Sequence, residues 1–500
     1  MLRRLRIITA ALFFVLITLL FFDFTGVLHK WLGWLAKIQL IPVVLSVNGV
    51  VLFILILITL LFGRVYCSVI CPLGIMQDGI SNLSGRRKGK KNRFRHSKAK
   101  CGLRYSFLVL FIAAIIAGIS AAVSLLDPYA TYGRIVSSLP APLYRLGNNL
   151  LAWFAEKADS YAFYSTEVWI KNWVILGISG ITLLAVGFFA WLNGRTYCNT
   201  ICPVGTALGF LSRFSIIRIT FDADKCTKCG RCERNCKASC LDSKKMIVDH
   251  SRCVTCFNCI GKCNFNAIKY TSVRIKKQKS GVAADHPSPK ERSRRSLLAV
   301  TGALALAQLS KAQQLLQVDG GLAEMEDRKA PDRKMPVVPP GALGLKNMQT
   351  HCTACQLCIS VCPNNILRPS VKLSTFMQPE MSYDRGYCRP ECTECSKVCP
   401  AGAIKPITTA GKTGISIGHA VWIRDNCVVN TDEIQCSNCE RHCPTKAITL
   451  IALEPDNEKT LKTPVVDKEL CIGCGACEYL CPARPFSAIY VEGNVRHHLV

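Results

Sequence analysis

This 500-residue chain lacks two motifs that identify common cofactor-binding proteins. It contains no Cys-x-x-Cys-His sequence, so covalent attachment of a c-type haem is excluded. No Gly-x-Gly-x-x-Gly sequence opens a helix after a strand, which argues against a nucleotide-binding dehydrogenase domain. The cofactor must therefore be sought among other residue types.

Negative charge is also scarce. Asp and Glu number 33 against 62 Lys and Arg, a formal net charge of +29, and no acid lies between Asp78 and Asp127. Such a balance is typical of nucleic-acid-binding proteins, of anionic lipid surfaces, or of cytoplasmic loops in membrane proteins. Phe94 is the only Phe, Tyr or Trp in the basic stretch 86–100, so bases would find little to stack on. We expect no nucleic-acid partner.

Four apolar runs have the composition of membrane-spanning helices, since a hydrocarbon core about 30 Å thick needs about 20 such residues. They cover residues 7–22, 40–62, 107–126 and 173–192. Basic residues precede the first run and follow the second, which places those segments on the cytoplasmic side. The sequence therefore predicts an α-helical bundle of four spans, surrounded by the lipid of a bacterial inner membrane.

The ends of spans two and four are near copies of each other. Gly63-Arg-Val-Tyr-Cys-Ser-Val-Ile-Cys-Pro-Leu-Gly74 recurs as Gly194-Arg-Thr-Tyr-Cys-Asn-Thr-Ile-Cys-Pro-Val-Gly205. Each copy places two thiols one helical turn apart. We interpret the four as candidate redox thiols or as ligands of a further metal centre, with the packing of a helix end as the alternative. They are Cys67, Cys71, Cys198 and Cys202.

The 30 cysteines lie in tight bunches, which indicates metal binding rather than disulfides. Two successive runs have the spacing of bacterial two-cluster ferredoxins, in which the fourth cysteine of one run binds the other cluster. Structural zinc sites use paired Cys-x-x-Cys units, so a third cysteine at the same interval argues against zinc. We assign Cys226, Cys229, Cys232 and Cys263 to one 4Fe-4S cluster, and Cys253, Cys256, Cys259 and Cys236 to the other.

This double run departs from the usual pattern in one respect. Lys237 and Asn264 stand where proline usually follows the fourth cysteine. Two cysteines near the run, Cys240 and Cys101, are left over, and we interpret both as ordinary thiols.

Four more motifs, each ending in Cys-Pro, predict four more clusters and bring the total to six. An Ala-Ile pair recurs shortly after several motifs, as expected of a repeated loop, short helix and strand. The spacing leaves the pairing of the four motifs open. The predicted ligands are Cys352, Cys355, Cys358 and Cys362; Cys388, Cys392, Cys395 and Cys399; Cys427, Cys436, Cys439 and Cys443; and Cys471, Cys474, Cys477 and Cys481.

The segment between the two groups of motifs carries a possible export signal. Ser293-Arg294-Arg295-Ser296 precedes a weakly apolar stretch, residues 297–309, that is too short for a span. Twin arginines in this setting are typical of a Tat signal, with a buried helix or plain linker as the alternative. Small residues near its end resemble a cleavage site, so cleavage would release the part that follows.

Together these features predict four parts. Residues 1–215 form the membrane domain, 216–272 a cytoplasmic two-cluster ferredoxin domain, 273–316 the linker and signal, and 317–500 a periplasmic four-cluster ferredoxin domain. The predicted fold class is thus a helical membrane bundle, with a duplicated hairpin, joined to α+β ferredoxin domains.

The combination resembles a known family. The four spans with two Cys-x-x-x-Cys-Pro motifs and a ferredoxin pair are similar to NapH, and the twin-arginine segment with four cluster motifs is similar to NapG. NosR-like and CcoG-like proteins share the membrane half. The resemblance implies a quinol dehydrogenase that passes electrons from the quinone pool to a periplasmic reductase, most typically nitrate reductase, or to a cytochrome.

We therefore favour a quinol-oxidising electron-transfer module over two alternatives, a maturation factor for a periplasmic metalloenzyme and a redox sensor. The cytoplasmic and external clusters lie on opposite sides of about 30 Å of hydrocarbon, so a bridge is needed. Four residues after span three, Asp127, Tyr129, Tyr132 and Arg134, are candidates for binding a quinol head group, although an interfacial anchor belt is an equal interpretation.

Overall fold

The computed structural model describes residues 1–87, 94–160, 163–272, 317–319, 323–325, 328–452 and 461–500. The predicted twin-arginine signal lies outside the described residues. The part before residue 212 is helical where it is described. Its helices are α1 (Leu2–Phe22), α2 (Val27–Leu32), α3 (Trp34–Lys37), α4 (Leu40–Leu45), α5 (Gly49–Phe62), α6 (Tyr66–Val69), α7 (Pro72–Arg87), α8 (Cys101–Ile116), α9 (Ser120–Leu126), α10 (Pro128–Ser138), α11 (Pro140–Lys157), α12 (Trp173–Asn193), α13 (Thr196–Thr200) and α14 (Pro203–Leu211).

Within the described residues, two helices, α1 and α12, are long and apolar enough to cross a membrane, with mean hydropathy 2.5 and 2.2. Of the four predicted spans, the second and third do not form a single long helix among the described residues, because each of these runs is divided into two shorter helices. Val47, at φ 54°, separates α4 from α5, and the Asn48 side chain caps α5 by accepting from Val51 N at 3.3 Å. Gly118, at φ 70°, separates α8 from α9.

Beyond α14 the chain forms short helices and two-stranded antiparallel ribbons, the α+β pattern expected of ferredoxin units. The helices are α15 (Arg231–Arg234), α16 (Leu345–His351), α17 (Leu357–Ser360), α18 (Glu394–Val398), α19 (Thr409–Thr413), α20 (Val428–Thr431), α21 (Asn438–Arg441) and α22 (Ala476–Leu480). The strands are β1 (Ile217–Phe221), β2 (Leu241–Asp242), β3 (Ile247–Val248), β4 (Ile268–Ser272), β5 (Gln317–Asp319), β6 (Ala323–Met325), β7 (Leu367–Pro369), β8 (Pro379–Met381), β9 (Ile415–Trp422), β10 (Ile448–Ala452), β11 (Lys462–Val466) and β12 (Ile489–Leu499).

The strands of the described residues pair into six antiparallel ribbons of two strands each. The pairs are β1 with β4, β2 with β3, β5 with β6, β7 with β8, β10 with β11, and β9 with β12. In the first ferredoxin unit, residues 216–272, β1 and β4 are the first and last strands and pair from Ile217↔Ser272 to Phe221↔Ile268. The ribbon thus closes the unit around its two cysteine runs.

The first ferredoxin unit and the distal unit, residues 328–500, contact opposite ends of α12. At its start, Lys171 Nζ donates to Ile359 O at 3.2 Å. At its end, Arg195 N donates to Lys237 O at 2.9 Å. A helix of 21 residues is about 31 Å long, so the units are separated by the length of the helical bundle.

Four clusters of buried apolar side chains hold the described parts together, the smallest of which joins Ile175 on α12 to Ala354 and Met377 of the distal unit. The largest is continuous from the bundle into the distal unit, since Ile17 and Phe21 belong to the same cluster as Met348 and Tyr383. The first ferredoxin unit has its own core, and residues 420–489 form a third. The distal unit is therefore packed onto the bundle rather than tethered to it.

Candidate functional site

The cysteines of the first ferredoxin unit surround two neighbouring sites. A cavity of about 330 Å³ is lined by Cys226, Cys229, Cys232 and Cys263. At the second site, Cys259 lies within electrostatic range of Cys253, Cys256 and Cys236. The fourth cysteine of each run thus lies with the first three of the other run.

Cys240, interpreted from the sequence as an ordinary thiol, lies inside the second site. It is buried, its Sγ is 3.6 Å from Cys236 Sγ, and it also contacts Cys253 electrostatically. It follows Cys236 by four residues, the interval at which Ala403 and Ala447 follow the last cysteines of their own motifs. That register is the sequence signal that would have identified it, because a thiol here replaces a small residue packed at the cluster site.

The distal motifs come together in chain order. A cavity of about 370 Å³ is lined by Cys362, Cys388, Cys392 and Cys395. Cys399 lies within electrostatic range of Cys352, Cys355 and Cys358. Cys443 lies within the same range of Cys471 and Cys474. The first motif therefore exchanges its fourth cysteine with the second, and the fourth cysteine of the third motif lies with the first cysteines of the last motif.

The donor set fits 4Fe-4S clusters. Backbone N–H groups donate to several of the sulfurs, as Ala447 N does to Cys443 Sγ at 3.2 Å and Ile404 N to Cys399 Sγ at 3.4 Å. Such bonds stabilise thiolates and tune cluster potentials. In the described part of the chain, no three His, Cys, Asp or Glu side chains could hold one metal ion, but a cubane binds each thiolate to a different iron.

The second and fourth distal motifs are in direct contact. Cys388 N donates to Cys474 O at 2.9 Å. Between them Tyr383 is fully buried and donates its hydroxyl to Gly473 O at 2.7 Å. Burial raises the pKa of Tyr383 well above its usual value, so the phenol stays neutral. The two pairs of distal sites are thus joined through one layer of backbone and one aromatic ring.

The four thiols of the duplicated motifs converge on one buried site at the end of the bundle that adjoins the first ferredoxin unit. The pKa of Cys202 is raised well above its usual value, chiefly by burial and then by its neighbours Cys198, Cys71 and Cys67. Pro72 and Pro203 begin α7 and α14 directly after the second cysteine of each motif. The packing interpretation does not account for this convergence, since four thiols meet instead of lying at separate helix ends.

Two arginines complete this site. Arg64 and Arg195 are fully buried, and each lies 3.8 Å from the sulfur of its own motif, Cys67 Sγ for Arg64 and Cys198 Sγ for Arg195. Cys198 Sγ also lies 3.4 Å from the Gln77 amide oxygen. The guanidinium groups supply positive charge that would stabilise thiolates here.

Lys237, which replaces the usual proline, links the thiol site to the first ferredoxin unit. Its ammonium lies 3.5 Å from the buried carboxylate of Asp78, which also pairs with Arg195 at 2.8 Å and with Arg6. Three cations around one acid hold the pKa of Asp78 far below its usual range despite burial. A proline could make none of these contacts, so this departure has a structural role.

The four residues after span three are buried, which overturns the interpretation as an interfacial anchor belt. Asp127 caps α10 by accepting from Tyr129 N at 3.0 Å. Arg134 donates to Ser124 O at 2.6 Å, and the Tyr132 and Thr18 hydroxyls lie 2.5 Å apart. These polar groups serve to hold α10 inside the bundle.

Helix α10 lies between the distal unit and the thiol site. A Cβ on Gly133 would lie 2.4 Å from Cys355 O, so the helix passes against the first distal motif. Arg134, one residue on, is an electrostatic neighbour of Tyr197, which precedes Cys198 in the second duplicated motif. This short helix therefore packs against the first distal motif and also lies within electrostatic range of the residue that precedes Cys198.

Comparison with known protein families agrees with this geometry. Residues 47–91 and 175–220, which carry the duplicated motifs, match the family described as "4Fe-4S binding domain". Residues 351–403 and 434–484 match the family described as "4Fe-4S dicluster domain". The protein is therefore an iron–sulfur protein of the ferredoxin type with an electron-transfer role.

The chain belongs to the family of ferredoxin-type proteins that includes MauM and NapG. It is 35% identical over 170 residues to the methylamine utilization ferredoxin-type protein MauM of Methylobacillus flagellatus. The matched region covers 32% of this chain and 70% of MauM. The chain is 31% identical over 176 residues to NapG of Escherichia coli (32% and 74%) and 29% identical over 163 residues to NapF of Escherichia coli (31% and 86%). No solved structure matches. The predicted resemblance to NapG is confirmed, and the resemblance to NapH stays a prediction.

Proposed function

We propose that this protein is a membrane-anchored electron carrier that oxidises quinol and delivers electrons to a reductase outside the cytoplasm. The observation that supports this most strongly is the succession of thiol sites in the distal unit. It begins with Cys355 against the bundle, continues through Cys388 and Cys474 in backbone contact, and ends at the pair containing Cys439. A row of this kind suits conduction from a membrane site to an external partner.

The outer face of the bundle supports a lipid environment. Ile8 on α1, Phe53 on α5 and Leu184 on α12 are 65%, 64% and 73% exposed, and they belong to a surface with many other exposed apolar side chains. Water-soluble proteins seldom expose apolar patches of this extent. We infer that α1 and α12 cross the membrane, and that α4 with α5, and α8 with α9, cross it as broken helices.

The inferred topology places the first ferredoxin unit in the cytoplasm and the distal unit in the periplasm. This follows from the positive charge next to the first unit. The length of α12, about 31 Å, matches a hydrocarbon core of about 30 Å. Export of the distal unit would use the predicted twin-arginine signal, and the chain would then combine a NapH-like and a NapG-like half.

The thiol site and α10 supply the bridge that this topology requires. The thiol site adjoins the first ferredoxin unit through Lys237, and α10 reaches the distal unit at Gly133. We propose that Cys67, Cys71, Cys198 and Cys202 act as a relay between the two ferredoxin units, as redox thiols or as ligands of a further metal centre.

Iron analysis tests the cluster part of the proposal. The 24 cysteines assigned from the sequence to six clusters predict about 24 iron atoms and about 24 acid-labile sulfides per chain. About 28 of each would place a seventh cluster at the thiol site. Zinc in place of iron would contradict the proposal.

Reduction by quinol separates this function from the two alternatives. Membranes containing the protein are mixed with decylubiquinol or menadiol, and the loss of visible cluster absorbance is followed. Rapid reduction is expected of a quinol-oxidising module. A maturation factor or a sensor would require no such reaction, and clusters that only dithionite reduces would reject the proposal. The periplasmic acceptor, a nitrate reductase or a cytochrome, is then sought by mixing the reduced protein with each.

A further inference from the structure

A cavity lies at the outer end of the bundle, between α10, α11, the start of α12 and the first distal motif. It encloses about 590 Å³, part of it open to the surroundings. Small-molecule sites are typically clefts lined by apolar side chains, with a few polar groups that fix the orientation of the ligand. Phe21, Pro142, Ile175 and Leu176 supply apolar wall, and Gln356 and Ser360 belong to the Cys352–Cys362 loop. A molecule in this cavity would lie within a few residues of predicted cluster ligands.

Three polar atoms in the wall have no hydrogen-bond partner among the described residues. They are the Ser137 hydroxyl, the Trp169 indole N–H and the Gln356 amide nitrogen, and each is buried. Buried polar groups are nearly always hydrogen-bonded, because an unmade bond costs about 1–3 kcal/mol. Three such atoms in the wall of one cavity indicate a ligand with hydrogen-bonding oxygens and an apolar body.

Two basic side chains fix the wall against the first distal motif. Arg145 donates to Ser360 O and Lys171 to Ile359 O, both at 3.2 Å. The cavity is therefore held in a set position relative to the loop that carries Cys358 and Cys362.

We propose that this cavity is the quinol-binding site, with Ser137, Trp169 and Gln356 as partners of the quinol oxygens. The proposal rests on the function proposed above and says where in the structure quinol is oxidised. Oxidation of one quinol to quinone breaks two O–H bonds and releases two electrons and two protons. The distal cysteines would hold the clusters that supply one-electron acceptors for these two electrons. The protons leave to water on the outer side.

The position also explains how a lipid-soluble substrate arrives. Ala141 and Pro142 line the cavity at the start of α11, and the same helix exposes Leu143 and Leu146. We extend the lipid-facing surface to those two exposed leucines. Quinol can thus enter from the membrane and react at the outer face, so electrons bound for the distal unit need not cross the bilayer.

Photolabelling and substitution test the site together. The full-length protein in membranes is irradiated with an azidoquinone, and labelled peptides are identified by mass spectrometry. Labels are expected in residues 137–145 or 168–176. Trp169→Phe keeps an aromatic side chain but removes the indole N–H, and Ala141→Leu narrows the cavity. Each is expected to slow cluster reduction by decylubiquinol about tenfold, the effect of losing one good hydrogen bond or of crowding the ligand.

Two controls keep the result interpretable. Trp153→Phe changes an exposed tryptophan on α11 outside the cavity. Quinol should reduce the clusters of this variant at the wild-type rate. Iron content and the dithionite-reduced paramagnetic signal must equal wild type in every variant compared, and Ser137→Ala replaces Ala141→Leu if that variant loses iron. Labels at residues 63–77 or 194–205, with unchanged rates in the cavity variants, would overturn this site but leave quinol oxidation standing. No reduction of the wild-type protein by quinol would overturn both.

Discussion

Arg64 and Arg195 are bound reciprocally across the duplicated motifs. Arg64 lies against the sulfur of Cys67 in its own motif and donates to Cys198 O of the other at 3.5 Å. Arg195 lies against Cys198 and donates to Cys67 O at 2.8 Å. Each arginine therefore joins both copies, and the pair gives the thiol site an approximate twofold symmetry that the sequence repeat alone only suggests.

Arg195 should be more important for stability than a surface cation. Arg195→Met would leave the buried carboxylate of Asp78 with two of its three cations, and breaking a buried pair in this way costs about 3 kcal/mol. Lys269→Met is the control, since its partner Asp222 is partly exposed and such a pair contributes at most about 1 kcal/mol. Denaturant titration of the detergent-solubilised protein measures both. Equal losses would contradict the role given to Arg195.

The glycines that end each duplicated segment should not tolerate a side chain. A Cβ on Gly205 would lie 2.1 Å from Cys198 O, and one on Gly74 would lie 2.5 Å from Cys67 O. Backbone oxygens in a packed site cannot move aside cheaply, so Gly205→Ala should destabilise the protein by about 1–3 kcal/mol. Gly79→Ala on α7 meets nothing within 4 Å and should stabilise by about 0.5–1 kcal/mol. Equal unfolding midpoints for the two variants would show that the close approach is relieved.

Cys240 should affect the potential of one cluster without changing the iron content. Its thiol lies 3.6 Å from Cys236 Sγ, close enough to donate to a cluster sulfur, and such donation raises the reduction potential. Cys240→Ala is expected to keep about 24 iron atoms per chain. In a redox titration, the midpoint potential at which one paramagnetic signal appears should be lower than in the wild-type protein.

Two further variants define what Cys240 does. Cys240→Ser retains a donor and should fall between wild type and Cys240→Ala. If Cys236→Ala keeps the cluster while Cys240→Ala loses it, then Cys240 is the ligand and the assignment of Cys236 is wrong.

The thiol site should determine whether quinol electrons reach the first ferredoxin unit. Replacement of Cys67, Cys71, Cys198 and Cys202 by serine breaks the proposed relay but leaves the distal row intact. Decylubiquinol should then reduce roughly two thirds of the clusters that dithionite reduces, namely the four distal ones out of six. Full reduction by quinol in this variant would show that electrons bypass the thiols.

Motif spacing predicts the same cysteine groupings that the structure brings together in the first ferredoxin unit, because each Cys-x-x-Cys-x-x-Cys loop is a local unit shaped by nearby backbone. Ligation of clusters by these groups stays a prediction. The pairing of the distal motifs was not readable, since it depends on contacts such as Cys388 N to Cys474 O between residues far apart in sequence. In the Ala-Ile pairs that begin at Ala403 and Ala447, the alanine stands four residues after the last cysteine of a motif, which is the position of Cys240. Because a cysteine stands there instead of alanine, it is interpreted from the sequence as an ordinary thiol.

The division of the second and third apolar runs into two helices each is another feature that the sequence does not reveal. Hydropathy measures composition, so it does not distinguish one continuous helix from two helices separated by a residue at positive φ, as at Val47 and Gly118. The burial of Asp127 and Arg134 could not be predicted from the sequence either, because it depends on how α10 packs in the bundle. Their hydrogen-bond partners, Tyr129 N and Ser124 O, are backbone groups that any residue could supply.

The continuous core between Phe21 and Met348 has a consequence for proteolysis and assembly. A protease that cuts the chain between residues 273 and 316 would sever the covalent connection but leave that buried contact intact. The two fragments should co-purify as a non-covalent complex, with the distal fragment retained on membranes until detergent or denaturant opens the interface. Two separately synthesised polypeptides with these sequences could assemble in the same way, as subunits rather than as domains.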